Sequence, residues 1–284
     1  MTAEAAESAV GGSRIAGGLA LLGPKETALL RLLDDAFRDW GAAEGAMEIS
    51  APPLYPVQQL ADLDVYVNFP QLALVVGGLQ TPGNGPVEGR FAPDQLAAPS
   101  LGLSHATCFA VYRYLQDRQV APDTLVTLVN RCFRREDHFD GLRRLLSFQM
   151  REIVAVGTFE HTQEVIARYR ERIEALLGLL GLEVVVEAAT DPFFQGGARA
   201  LLQRMAPVKY EFQVDGLAIA SVNTHRNFFG ERCRISYGEE RTTAFTGCVA
   251  FGLERWLAVL IDRHGSADKA RTTVEQVLHE LGPA

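Results

Sequence analysis

Long apolar stretches are missing from this sequence of 284 residues. None approaches the roughly 20 uncharged apolar residues that a bilayer crossing requires, and the N-terminus lacks a basic region followed by an apolar one. We therefore expect a cytoplasmic protein without a membrane segment. Because 48% of the residues are hydrophobic, the chain can bury a substantial core in one large domain.

Cysteine and positive charge are also in short supply. The four cysteines are scattered through a chain far larger than a disulfide-stapled secreted domain, so we expect reduced thiols. The formal net charge of -8 argues against a general affinity for nucleic acid, because phosphate binding requires a concentration of Lys and Arg.

Hydrophobic spacing predicts an α+β fold with an antiparallel sheet, since strands and helices alternate irregularly rather than in βαβ units. The first 14 residues are small and polar, so we expect a flexible tail ahead of a single domain over residues 15–284. Predicted helices cover residues 24–40, 161–180, 252–263 and 270–281. Predicted strands cover residues 48–54, 125–133, 150–159, 182–188, 208–214, 217–223 and the segment before Gly247, and residues 82–86 form a turn.

The most informative segment is residues 131–136, which read Arg-Cys-Phe-Arg-Arg-Glu and are followed by a polar loop. This segment resembles motif 2 of class II aminoacyl-tRNA synthetases. In that motif Phe-Arg-any-Glu ends one strand, and an Arg in the loop precedes a Phe that starts the next strand. Arg134, Glu136, Arg144 and Phe148 match the pattern. A hairpin whose tip is merely solvated by charges is the alternative interpretation.

Motif 2 has a clear chemical purpose. Attack of a carboxylate on the α-phosphorus of ATP builds negative charge, which a guanidinium fork can hold bidentately. The resemblance implies that Arg134 takes this role, that Arg144 pairs with the outer phosphates and that Phe148 stacks on adenine. Glu136 would accept from the adenine amino group or orient the amino acid, and Arg143 is a further ATP-binding candidate.

A second segment, residues 247–256, resembles motif 3 of the same family, in which Gly-apolar-Glu-Arg leads from a strand into a helix. The resemblance implies that Gly252 lets the backbone approach adenine, since any side chain would collide. Arg255 would reach the γ-phosphate, while Ala250 stands where many members carry Gly. Lys209 is a further phosphate-binding candidate, with a solvated edge lysine as the alternative.

Three distant residues, Cys108, Glu152 and Cys248, stand at the positions of the Cys, Glu and Cys zinc ligands of atypical seryl-tRNA synthetases and their relatives. No local ligand spacing supports a metal site. The resemblance implies one zinc ion with an open fourth position for the substrate's α-amino group. Cys132 is interpreted as a buried strand thiol, and Cys233 has no assigned role.

The resemblance covers about residues 48–261, and Ser221, Asn223 and His225 stand where the substrate-pocket strand lies. The first hundred residues leave little room for the large N-terminal tRNA-binding domain of seryl-type synthetases. A shortened, acidic, zinc-dependent core resembles the amino acid:[carrier protein] ligases. These enzymes activate glycine or alanine with ATP and load it on the phosphopantetheine thiol of a carrier protein. A helical insert at about residues 161–206 would separate motifs 2 and 3.

The resemblance also implies Mg²⁺ with ATP, a homodimer and no tRNA, although no clean motif 1 is present. Arginines that could meet an acidic carrier helix are Arg168, Arg170, Arg172, Arg199 and Arg204, with an ordinary solvated helix face as the alternative.

Two other functions remain open: a tRNA-charging core that works with a separate tRNA-binding chain, and a non-catalytic regulatory subunit. Retention of Arg134, Arg144 and Arg255 argues against the second of these. The choice between glycine and alanine is left open.

Overall fold

The computed structural model describes residues 8–10, 12–80, 91–189 and 208–282. The strands in these ranges are β1 (Ser8–Val10), β2 (Ser13–Ala16), β3 (Leu19–Leu21), β4 (Met47–Glu48), β5 (Leu54–Pro56), β6 (Val75–Val76), β7 (Leu101–Leu103), β8 (Gln119–Val120), β9 (Asp123–Phe133), β10 (Ser147–Gly157), β11 (Val185–Ala188), β12 (Lys209–Val214), β13 (Leu217–Arg226), β14 (Ser236–Tyr237), β15 (Thr242–Thr243) and β16 (Phe245–Gly252). The helices are α1 (Pro24–Ala43), α2 (Val57–Ala61), α3 (Val65–Asn68), α4 (Phe109–Tyr114), α5 (Phe159–Leu179), α6 (Phe228–Cys233), α7 (Leu253–His264) and α8 (Ala267–Leu281).

The centre of the fold is a sheet with the strand order β11-β12-β13-β16-β10-β9-β4. Neighbouring strands are antiparallel throughout, except that β4 runs parallel to β9. The predicted α+β class with an antiparallel sheet is therefore confirmed. No helix in the described ranges is both long enough and apolar enough to cross a membrane.

Alternation along the strands gives the sheet two different faces. Ile153 of β10 and Val249 and Phe251 of β16 belong to a core that is covered by α1, α5, α7 and α8. The intervening residues of the same strands, among them Glu152 and Cys248, point to the opposite face, where α4 and α6 pack. The candidate site lies on this second face.

Helix α1 is fixed firmly to the first face. It begins at Pro24, whose locked φ suits the first helical position. The ring of Phe37 stacks on Phe251 with 3.9 Å between centroids, and Arg151 of β10, only 2% exposed, forms a bidentate ion pair with Asp34 at 2.7 and 2.9 Å. These contacts give the strands of the site a rigid support.

Part of the tail that we predicted to be flexible over residues 1–14 lies in short strands. Strands β1 and β2 pair with each other, and β2 also pairs with β3. Two side chains explain why this segment packs on the domain. Ser13 accepts a hydrogen bond from Gly23 N at 2.9 Å, and Ile15 joins the core. Residues 1–7 lie outside the described ranges.

Two further predictions differ from the structure in their bounds. The strand expected over residues 48–54 is interrupted, because Pro52 and Pro53 lie between β4 and β5 and proline cannot donate to a ladder. The insert expected over residues 161–206 contains α5, which packs directly on the sheet, followed by β11. Its remainder, residues 190–207 with Arg199 and Arg204, lies outside the described ranges, as does the turn predicted at residues 82–86.

Candidate functional site

The loop between β9 and β10 carries the residues predicted for the first ATP motif. Phe148 of β10 lies directly opposite Cys132 of β9, and the backbone N–H of Arg134 donates to Leu146 O at 2.9 Å just beyond the paired strands. The turn of the loop includes Gly141 with a φ of 44°. The hairpin therefore returns the chain so that both motif ends lie beside each other.

One cleft, with about 650 Å³ of space that is open to solvent, brings the two predicted motifs together. Arg144 stands beside it, because its Nη1 donates to Glu136 Oε2 at 3.0 Å. The residues predicted for ATP or substrate binding that line the cleft are Arg134, Glu136, Arg143, Phe148, Lys209, Ser221, Gly252 and Arg255.

The two principal arginines of the cleft are held by backbone carbonyls. Arg134 donates through Nε and Nη2 to His105 O at 3.3 and 3.2 Å, and its guanidinium carbon lies 5.0 Å from the Phe148 ring centroid. Arg255 donates to Arg143 O at 3.0 Å and to Ala218 O at 2.9 Å.

These two guanidinium groups favour an anionic ligand. Burial, with a smaller effect of the positive charge of Arg134, lowers the pKa of Arg255 to about 10, so that it remains charged at neutral pH. Two like charges placed together in one cleft repel each other. Binding of a polyphosphate offsets this repulsion.

The space beside Gly252 that a side chain would occupy belongs to the open cleft and is not filled by other described residues. A Cβ added there would meet no atom of the described residues closer than 3.7 Å, and the φ of -83° is ordinary for any residue. At Gly247, by contrast, a Cβ would lie 2.9 Å from Ile166. The protein's own packing therefore leaves less room for a side chain at Gly247 than at Gly252, which fits a close approach by a ligand at Gly252.

Two carboxylates of the cleft were not assigned from the sequence. Glu211 forms an ion pair with Lys209 at 2.7 Å, and the alternation of residues along β12 was the signal that places both on one face. Glu254, whose pKa is raised by burial, accepts from Gln149 N at 2.8 Å and so joins the start of α7 to β10.

Cys108, Glu152 and Cys248 meet beside the cleft as a buried cluster. Their sulfur and carboxylate ligand atoms all lie within 4.8 Å of one another. Sheet register explains the meeting: Glu152 is paired with Ala250, two residues from Cys248 on the same face of β16, while Cys108 immediately precedes α4 above that face. Because Ala250 and Ser221 are paired with each other and both line the cleft, the cluster adjoins it.

The cluster fits a divalent cation. Glu152 Oε1 accepts from Thr107 N at 3.0 Å, but Oε2 is buried and has no hydrogen-bond partner among the described residues. The adjacent Cys248 thiol and burial raise the pKa of Cys108 well above its usual range, and burial raises the pKa of Glu152. A cation reverses this penalty on negative charge, and a set of two thiolates and one carboxylate suits zinc.

Asn223 and His225, predicted as substrate contacts, lie against the cluster instead of lining the described part of the cleft. Asn223 Nδ2 donates to Cys248 Sγ at 3.4 Å, and His225 Nε2 is 3.9 Å from the same sulfur. Burial lowers the pKa of His225 to about 3.

The two cysteines outside the cluster are also buried. The prediction of Cys132 as a buried strand thiol is confirmed, and Cys233 is buried in α6.

The arginines of α5 already have partners in their own chain, which favours an ordinary helix face over a docking surface. The contacts are Arg168 with Glu44 at 2.7 Å, Arg170 with Glu174 at 3.1 Å and Arg172 with Gly282 O at 3.3 Å.

Comparison with known proteins identifies relatives of this arrangement. A family model described as the tRNA synthetase class II core domain (G, H, P, S and T) matches residues 104–264. The chain is 32% identical over 241 residues to amino acid–[acyl-carrier-protein] ligase 1 of Bradyrhizobium diazoefficiens, an alignment that covers 78% of this chain and 73% of that protein. It is 28% identical over 193 residues to the type-2 serine–tRNA ligase of Methanopyrus kandleri, covering 61% of this chain and 36% of that protein.

A solved structure shares the fold. The crystal structure of A. aeolicus tRNASec in complex with M. kandleri SerRS matches with a TM-score of 0.75 and 21% sequence identity. The match covers 94% of this chain and 58% of that chain, so this chain spans a little over half of the length of that structure.

Proposed function

Since this chain belongs to the class II tRNA synthetase core family, and within it to the amino acid–carrier-protein ligases, we propose that it activates glycine or alanine with ATP and transfers it to the phosphopantetheine thiol of a carrier protein. One observation carries the proposal: arginines from two separated segments line a single cleft that adjoins a buried Cys, Glu and Cys cluster. The cleft is suited to a nucleotide and the cluster to a small amine.

In the first step a carboxylate oxygen of the amino acid attacks the α-phosphorus of ATP. The new P–O bond gives the aminoacyl-adenylate, and the bond to the β-phosphate breaks to release pyrophosphate. Arg134 would hold the charge that builds on the α-phosphoryl group, Arg144 and Arg255 would bind the outer phosphates, and Phe148 would stack on adenine. Mg²⁺ bound with ATP offsets the charge of the phosphates.

Cys108, Glu152 and Cys248 would hold a zinc ion, which when bound supplies a Lewis-acid position for a neutral amine. Ala250 is paired with Glu152 of the cluster and with Ser221, and both Ala250 and Ser221 line the cleft. An amino acid whose amine were held at the cluster would therefore extend into the cleft, where Arg134 also lies.

In the second step the carrier thiol attacks the acyl carbon of the adenylate. The C–S bond forms, the acyl–oxygen bond breaks and AMP leaves, with no residue of this chain becoming acylated. Glycine and alanine differ by one methyl group, which is worth roughly 1–3 kcal/mol in a pocket. We therefore expect one of the two to be preferred but the other to be activated measurably.

The test is amino-acid-dependent pyrophosphate exchange across all twenty amino acids, followed by transfer of the labelled amino acid. We expect exchange with glycine or alanine, and label on a phosphopantetheinylated carrier but not on the same carrier without its phosphopantetheine arm. Exchange followed by efficient charging of total tRNA would support a tRNA-charging core instead. Absence of exchange with every amino acid would contradict activation and support a non-catalytic subunit.

A further inference from the structure

Behind the cluster of Cys108, Glu152 and Cys248, two polar contacts link Tyr112 to Cys248 through His225. The hydroxyl of Tyr112 lies 3.1 Å from His225 Nδ1, and His225 Nε2 lies 3.9 Å from Cys248 Sγ. One tyrosine and one histidine thus form a polar chain that ends at Cys248, on the side of the sheet that α4 and α6 cover.

Packing alone does not account for these two polar groups. Tyr112 is fully buried and His225 is 4% exposed, a position where polar atoms are costly unless they are hydrogen-bonded. Both rings contact Phe229, with centroid distances of 4.0 Å for Tyr112 and 5.0 Å for His225. An apolar ring pair would make the same contacts without the cost of burying a hydroxyl and an imidazole.

One tautomer of His225 directs a donor at Cys248. When Nδ1 of His225 accepts from the hydroxyl of Tyr112, the ring proton is on Nε2, which faces the sulfur. Asn223 Nδ2 contributes a second donor to the same sulfur at 3.4 Å. Two N–H groups directed at one sulfur orient its lone pairs and offset its negative charge.

We propose that Tyr112 and His225 are positioning residues for the metal site: Tyr112 fixes the ring and the proton of His225, which donates to Cys248 Sγ and holds this sulfur in place as a ligand. The inference rests on the proposed function, because it assigns to these residues a role toward the zinc ion of that site. Partners that hold a metal ligand from behind typically change metal affinity by about 10- to 100-fold.

The test measures zinc affinity by competition with a chromophoric chelator, and the sulfur-to-metal charge-transfer band of the cobalt-loaded full chain. We expect His225→Leu to weaken zinc binding by about 10- to 100-fold and to shift the cobalt band. His225→Gln, which keeps an amide N–H donor, should restore most of the affinity. Tyr112→Phe should weaken binding by about 10-fold and add little in combination with His225→Leu.

A matched control is Tyr169→Phe, which also removes a buried tyrosine hydroxyl, one that donates to Trp40 O at 2.9 Å far from the cluster. This control should leave zinc affinity and the cobalt band unchanged while costing similar thermal stability. If His225→Leu does not fold, Tyr112→Phe and His225→Gln still test the proposal through the cobalt band.

The inference and the metal site can fail separately. If Cys248→Ala loses zinc but folded His225→Leu and Tyr112→Phe bind it as the wild type does, with an unchanged cobalt band, the positioning role is overturned and the metal site stands. If the wild-type chain binds neither zinc nor cobalt, both are overturned.

Discussion

The cleft and the cluster of Cys108, Glu152 and Cys248 lie on one face of the same sheet but are built in different ways. The cleft opens to solvent and is lined by charged side chains from three short segments, residues 134–143, 209–211 and 254–255. The cluster is buried, and its three members come from distant parts of the chain. Phosphate must enter and leave through water, whereas thiolates gain from exclusion of water around a cation. Under the proposed function, nucleotide binding and amino acid selection are therefore assigned to physically separate parts of the site.

Arg134→Ala gives the largest expected effect on the cleft side. Removing the guanidinium group takes away the charge that we propose to stabilise the transition state, so amino-acid-dependent pyrophosphate exchange should fall about 10²- to 10³-fold. Zinc content should not change. Arg135→Ala is the matched control, because Arg135 follows directly in the chain but does not line the described cleft. An exchange rate that falls equally in both variants would contradict the specific role of Arg134.

Cys108→Ala is the corresponding substitution in the buried cluster, where it removes a proposed zinc ligand. If roughly 10 kcal/mol of zinc binding energy is shared among the ligands, the loss of one costs about 3 kcal/mol, or about 100-fold in affinity. Bound zinc, measured by elemental analysis after dialysis, should fall well below one ion per chain. Cys233→Ala removes another buried thiol, outside the cluster, and should retain zinc. Full zinc occupancy in Cys108→Ala would remove this residue from the ligand set.

The difference between the cleft and the cluster also explains which parts of the site could be predicted from the sequence. Arg134, Phe148, Gly252 and Arg255 stand in short segments whose order follows a family pattern, and the structure places all four in one cleft. The hairpin of β9 and β10 and the long helix α5 differ from their predicted bounds by only a few residues, because hydrophobic periodicity is strong over long elements.

Local sequence patterns do not predict the buried cluster. Glu152 and Cys248 meet through the register of two strands almost a hundred residues apart, which only a family resemblance predicted. Tyr112 was missed because α4 has six residues, too few for a helical period to be visible. Ordering of β1 and β2 likewise depends on Ser13 and Ile15 finding partners elsewhere in the fold.

His105 lies at the boundary between the cleft and the cluster and provides a test of whether water is excluded from that boundary. Its carbonyl oxygen accepts from Arg134, and its ring packs against Phe69 and Phe109 at centroid distances of 4.6 and 5.2 Å. Burial lowers the pKa of His105 from 6.5 to about 3. Between these values the unfolded chain binds a proton and the folded chain does not, so stability is complete above pH 6.5 and falls as the pH decreases toward 3.

At pH 5 this single histidine accounts for a loss of about 2 kcal/mol in the free energy of unfolding relative to pH 7.5. Neither ring nitrogen has a hydrogen-bond partner among the described residues, so His105→Leu leaves no partner unsatisfied. Urea unfolding should show a loss between pH 7.5 and pH 5 that is smaller by about 2 kcal/mol in this variant than in the wild type. Equal losses in the two proteins would mean that water reaches the ring.

Phe148→Ala is the mildest change and tests whether the two regions are independent. We propose that the ring stacks on adenine, a contact worth roughly 1–3 kcal/mol, and the ring also faces the guanidinium group of Arg134. We expect the KM for ATP in pyrophosphate exchange to rise about 10-fold, and Phe148→Tyr, which keeps the aromatic face, to remain close to the wild type. Zinc affinity should be unaffected, because Phe148 lies four residues before Glu152 along a rigid strand that Arg151 fixes to α1. A parallel loss of zinc in Phe148→Ala would show instead that cleft and cluster respond as one unit, since β10 would then transmit the change from one to the other.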